Sequence, residues 1–266
     1  MNHGKLETLT RLGFAARGIM YVLIGFLALE AGRAEDGAGA LEVLNGGAGK
    51  LLLALMAAGF AAYGLWRLAD AALDSEGHGS DGKGMVMRLG GAASGVVHLG
   101  LAYIVAGMAL GNGGGGRGGA RTRDGAATAL NLPGGWTLLI IAAFGLLLVG
   151  GYQLFNAAKG SFLRRLDSRA ASEAWVKAAG RIGYAARGIV FLIMAWFLGQ
   201  AGMEGRAGEA GGIDEALTSL PQTLRLLVAF GLLLFGLFSF VEARYRRLRD
   251  PADMLPGHAN GPGNGR

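Results

Sequence analysis

RLGFAARGIM at residues 11 to 20 returns almost letter for letter as RIGYAARGIV at residues 181 to 190. A weaker third copy, RLGGAASGVV, runs from Arg88 to Val97. Each copy opens an apolar segment, and the segments that follow repeat as well: Gly59, Gly145 and Gly231 align, then Gly64, Gly150 and Gly236, then the aromatics Trp66, Tyr152 and Phe238. Self-similarity at a fixed unit marks a fold built by duplication, and the unit here is a two-helix hairpin of about 70 residues.

Of 266 residues, 52% are hydrophobic, 17% are charged, 50 are glycine and none is cysteine. A soluble domain carries about 25% charge, so the deficit points to lipid. The apolar residues fall in six blocks, 12–31, 51–69, 89–111, 136–155, 182–202 and 224–241. Each is close to the ~20 residues that a helix needs to cross a ~30 Å hydrocarbon layer. The expected fold is an all-α integral membrane protein of six transmembrane helices arranged as three hairpins. The expected repeats are 1–75, 76–160 and 161–249, followed by a disordered tail at 250–266. The basic N-terminus, short apolar core and AGRA at 31–34 also resemble a signal peptide. The internal copy at 181–190 argues for a retained helix instead.

Two crossings per unit start every copy on the same side, so the repeats are parallel ones. Orientation follows from Lys and Arg, since positive residues collect on the cytoplasmic side. The N-terminus, the loops after the second and fourth helices and the C-terminus, with their adjoining helix ends, hold 18 of the 25 basic residues. Both termini are therefore expected in the cytoplasm, in a bacterial inner membrane protein. Arg164, Arg165, Arg244, Arg246, Arg247 and Arg249 are expected to meet anionic lipid headgroups, with no nucleic acid as partner. The glycines provide the close helix approach on which packing in lipid depends.

Charge inside a membrane helix is costly and usually paired. Near the inner end of each first helix the alignment places Arg17, Ser94 and Arg187, and near the inner end of each second helix Asp70, Asn156 and Glu242. The first and third copies hold an arginine and an acid, while the second holds two neutral residues. The joint replacement predicts pairing of Arg17 with Asp70 and of Arg187 with Glu242, within a hairpin or across to its neighbour. His98 is a further polar candidate, aligned with Tyr21 and Phe191. No second histidine lies in the spans, which excludes bis-histidine haem within one chain. Glu30 and Gln200 read as interfacial, and DSEGHGSDGK at 74–83, with His78, as a solvated loop. The glycine run at 111–119 lacks a phosphate-loop ending and reads as a linker. The segments at 39–46, 125–134 and 213–221 read as short interfacial helices, with Pro133 and Pro221 at the turns into the next spans.

Three openings of the form R[LI]Gx(A)A[RS]G, each heading a two-helix unit, resemble the bacterial membrane proteins catalogued as domain of unknown function 1206. The resemblance covers about residues 5 to 248 and implies six helices in three hairpins; it implies no activity. Ser94 and Asn156 depart from three equal charged sites. There is no Cys nucleophile, HExxH, GxSxG or intramembrane carboxylate cluster, so no enzyme, cofactor or metal site is expected. The leading expectation is a structural or accessory membrane protein that packs with itself or with a larger complex. The alternative is a proton or ion channel or carrier using Arg17, Asp70, Arg187 and Glu242.

Overall fold

A computed structural model of the chain describes residues 3–30, 40–41, 44, 48–74, 77, 79–111 and 118–246. The chain is all-helical over these residues: α1 (His3–Glu30), α2 (Ala48–Leu73), α3 (Gly82–Ala109), α4 (Gly118–Leu130), α5 (Gly135–Lys159), a 3₁₀ turn (Ser161–Arg165), α6 (Ser168–Ser172), α7 (Ala174–Glu204), α8 (Ile213–Thr218) and α9 (Gln222–Tyr245). Six of them, α1, α2, α3, α5, α7 and α9, are long and apolar enough to span a bilayer. Arg247, Arg249, the tail at 250–266, His78 and most of the segment at 39–46 lie outside the described residues.

The helices outrun the apolar blocks at one end. α3 begins at Gly82 and α7 at Ala174 because polar residues extend them: the Asp81 carboxylate accepts the Gly84 N–H at 2.8 Å, satisfying one of the free amides of a helix start. Gly160 ends α5 in a left-handed conformation, with φ 65°, which glycine adopts without penalty. The end of the bundle where α1 begins and α9 finishes is called the near end below.

The broadest packing lies between repeats and not within them. α2 packs along α3, α5 along α7, and α9 along α1. Contacts inside a hairpin are narrower for α1 with α2 and for α7 with α9, and nearly vanish for α3 with α5. The spanning helices thus follow the order α3, α2, α1, α9, α7, α5, and the run is open between its two ends.

Glycine sets each of the three broad interfaces. A Cβ placed on Gly95 would lie 2.9 Å from the Gly64 carbonyl oxygen, one on Gly188 3.0 Å from that of Gly150, and one on Gly18 3.1 Å from that of Gly236. These are the aligned glycines of the repeat, so one backbone crossing is built three times. Lipid provides no hydrophobic drive between helices, and only small residues admit approach this close.

The helices α4 and α8 lie at the far end, where Arg123 of α4 reaches Glu215 of α8 at 2.9 Å. α4 takes in the last glycines of the run at 111–119, which the sequence presents as linker. Partial burial alone would raise the Glu215 carboxyl. Hydrogen bonds from Asp214 and backbone amides, with the Arg123 charge, hold it below its ordinary range instead. A depressed folded value means that the contribution is present above the unfolded value near 4.3 and is lost as pH falls through the folded one. Protection of the amides across 118–130, read as exchange relative to the unprotected rate at the same pH, is therefore expected to fall below about pH 4, and Arg123→Ala should lower it at neutral pH.

Candidate functional site

Two of the motif arginines that open the repeats cap the neighbouring helix of the bundle, and the third lies at the equivalent place. Arg11 Nη1 donates to the carbonyls of Ala243 (3.1 Å) and Arg244 (2.6 Å) at the end of α9. Arg88 donates to the carbonyls of Ala71 (2.8 Å) and Ala72 (3.0 Å), the equivalent positions at the end of α2. Arg181 lies beside Gly160 at the end of α5. The last carbonyls of a helix lack intrahelical partners, and here the next repeat provides the donor.

Less than two turns deeper is a polar layer. Among the described residues the buried polar side chains are Asp70, Gln153, Asn156, Ser239 and Glu242, all in two aligned positions of the second helix of each repeat. Glu242, 1% exposed, is clamped from two sides: Arg17 Nη2 donates to its Oε2, and Arg246 Nη1 to its Oε1 at 3.0 Å. Ser239 Oγ accepts from Arg17 Nε at 3.1 Å and donates to the Phe235 carbonyl at 2.8 Å. The Arg17 guanidinium lies 4.6 Å from the Phe14 ring centre and 5.0 Å from that of Phe235, distances at which a cation gains from the ring quadrupole.

The expected pairing is corrected in its partners. Glu242 belongs to Arg17, in a different repeat, and not to Arg187. Asp70 lies 3.6 Å from Arg67, one turn back on its own helix. Arg187 takes part in no ion pair among the described residues. Its Nε donates to the Tyr21 hydroxyl at 3.0 Å, and its guanidinium lies 4.7 Å from the Phe191 ring and 5.0 Å from that of Phe235. The reason is the packing between repeats: each acid position shares an interface with the arginine position of the next repeat. Asp70 therefore shares an interface with Ser94, Asn156 with Arg187, and Glu242 with Arg17. Only the last combination is a cation with an acid.

The second copy keeps neutral polar groups. Asn156 Oδ1 accepts from Ser161 Oγ, and Gln153 Oε1 is buried with no hydrogen-bond partner among the described residues. His98 donates from Nδ1 to the Ser94 carbonyl at 2.7 Å and lies 4.6 Å from the Tyr63 ring. Arg246, expected at lipid headgroups, instead turns inward to Glu242 and over Phe14, at 4.7 Å, because it ends α9 one turn after that acid. Arg67, Gln153 and Ser239 carry a signal that sequence reasoning could have used: three residues after the aligned glycine, all three copies are polar.

The profile of a family described as Domain of Unknown Function (DUF1206) matches the chain three times, at residues 12–74, 89–160 and 182–246. The chain belongs to the DUF1206 family. The three matches coincide with the repeats whose glycines and arginines are described above. This DUF1206 protein is also similar to the uncharacterized protein YxxB of Bacillus subtilis (strain 168), with 29% identity over 251 residues, 90% of each chain. No solved structure matches it.

Proposed function

We propose that the protein is a non-enzymatic, accessory multi-pass protein of the bacterial plasma membrane, with both termini cytoplasmic, that works by helix packing with itself or with a larger membrane complex. The observation that supports this reading is where its interior is polar. The layer around Glu242 lies at the near end, where Arg17 and Arg246 pair with the carboxylate and Arg187 rests on the Tyr21 hydroxyl and aromatic rings. The core beyond it is filled by Ile24, Leu53, Met56, Phe60, Val105 and Met108, each at most 1% exposed. Charge placed near an interface costs less than charge at the midplane, which suits a structural clamp. The excess of Lys and Arg at the near end supports a cytoplasmic placement, with Arg164, Arg165 and Arg244 at anionic headgroups.

The test is reconstitution into liposomes loaded with pH-sensitive and cation-sensitive dyes, beside affinity capture from cross-linked membranes. The expected result is dye traces equal to those of empty liposomes, with the same membrane-protein partner or homo-oligomer captured in replicate. Proton or cation flux that Glu242→Gln removes from a folded protein would overturn the accessory reading in favour of a channel or carrier.

A further inference from the structure

Two of the interfaces between repeats share one register, and one of the two is missing a charge. A Cβ on Gly18 would meet Phe240 at 2.9 Å, and one on Gly188 would meet the aligned Leu154 at 2.9 Å. A Cβ on Gly236 would meet Val22 at 2.6 Å, and one on Gly150 would meet the aligned Leu192 at 2.9 Å. The crossing of α9 with α1 is therefore repeated between α5 and α7 in the same register. Asn156 and Gln153 thus stand toward the Arg187 position as Glu242 and Ser239 stand toward that of Arg17.

The chemistry on this shared frame differs. Arg17 donates from Nε to the Ser239 hydroxyl and from Nη2 to the Glu242 carboxylate. Arg187 donates from Nε to the Tyr21 hydroxyl, while its Nη1 and Nη2 have no hydrogen-bond partner among the described residues. Where the sister interface has an acid and a hydroxyl, this one has two amides, Asn156 and Gln153, each 5% exposed. Gln153 Oε1 is itself without a partner among the described residues.

The surrounding charge sharpens the deficit. The Arg17 and Arg187 guanidinium carbons each lie 5.0 Å from the Phe235 ring centre, so they are at most twice that, 10.0 Å, apart. Arg246 adds a third cation, and among the described residues Glu242 is the one carboxylate paired with any of the three. Arg187 does not escape toward the near end either. Tyr21 aligns with Phe191, one turn deeper in the bundle, and the guanidinium rests on both of those rings. A cation held there without a counter-charge is costly, and aromatic faces offset only part of that cost.

The sister interface identifies the missing group. Beside Arg17 it is a carboxylate. The amide of Asn156 replaces that carboxylate with a side chain one methylene shorter and without charge. A carboxylate from outside the chain can accept from Arg187 Nη1 and Nη2 as a planar fork, and each of the two amides has an NH2 to donate to its remaining lone pairs.

We propose that Arg187, with Asn156 and Gln153, binds one carboxylate group of a ligand, in the place that the Glu242 side chain fills beside Arg17. The carboxylate belongs to a small soluble acid or to a fatty acid. The inference does not rest on the accessory reading.

The test titrates the full chain in neutral detergent with acetate or with hexadecanoate, each isotope-labelled at the carboxyl carbon, and follows the carboxyl resonance by NMR. Saturable binding is expected: by acetate if the ligand is a soluble acid, by hexadecanoate alone if it is a fatty acid. Arg187→Gln should weaken binding about 10- to 100-fold, the loss of a hydrogen bond to a charged group. Asn156→Glu provides the carboxylate from within, as the sister interface does. It should abolish binding and raise the thermal midpoint of the ligand-free protein by about 3 °C. Saturation by neither acid would overturn the proposal. Binding that survives Asn156→Glu, or a midpoint that fails to rise in that variant, would place the carboxylate elsewhere and overturn it too. Equal displacement by chloride or phosphate would mark an unselective cation, with the same consequence.

Discussion

Glu242→Ala is expected to destabilise the bundle by about 3 to 5 kcal/mol, the cost of removing one partner from a buried ion pair and leaving the other charge uncompensated. Two cations are stranded here, Arg17 and Arg246, and both already lie against the Phe14 ring, so neither can turn to water without vacating its packing. Glu242→Gln keeps an acceptor for one of them and should lose less. Arg246→Ala should be milder again, because Arg17 and the carboxylate remain paired. The measurement is unfolding of the detergent-solubilised protein in increasing fractions of denaturing detergent, followed by circular dichroism. A loss below about 1 kcal/mol for Glu242→Ala, the range of exposed pairs, would mean that the clamp holds nothing together.

The second large effect belongs to a hydrogen atom. A methyl group on Gly236 would lie 2.6 Å from the Val22 nitrogen and 2.8 Å from the Gly18 carbonyl oxygen, and backbone cannot swing aside as a flexible side chain can. Gly236→Ala must push α9 away from α1, and a loss of about 3 kcal/mol is expected, at the upper end of overpacking costs. The same substitution at Gly145 meets nothing within 4 Å. There alanine should be neutral or stabilising by up to about 1 kcal/mol, its helix-propensity advantage. The contrast between two aligned glycine classes of one helix type is the readout: comparable losses at both sites would contradict the open run between α3 and α5.

The six spans were legible because a bilayer demands long apolar runs, and the repeat was legible because duplication left RLGFAARG, RLGGAASG and RIGYAARG in place. Adjacency was not. An alignment says that Arg17 and Arg187 are equivalent, yet it is silent on which helix each one faces. Neighbours in sequence usually neighbour in space, which made Asp70 the natural partner of Arg17. The partner is Glu242 because Gly18 and Gly236 bring α1 and α9 to backbone contact, a fact carried by two glycines 218 positions apart. Arg246 was misplaced for a related reason: its basic neighbours Arg244 and Arg247 make it look like one more headgroup contact, and only the turn of α9 aims it at the acid four residues earlier.

Most chains loosen first at their ends. In this one α1 and α9, the outermost spans in sequence, have the most deeply buried spanning segments, and Arg11 ties the start of one to the finish of the other. The weak place is the middle of the chain, where α3 and α5 each have a helix on one flank only. The polypeptide is sewn at its termini and unbuttoned at its centre, so its least stable unit is internal. The two spatial ends of the run, α3 and α5, thus fall in the middle of the sequence. Joining residue 246 to residue 3 and cutting between α2 and α3 would leave every one of the three glycine crossings in place.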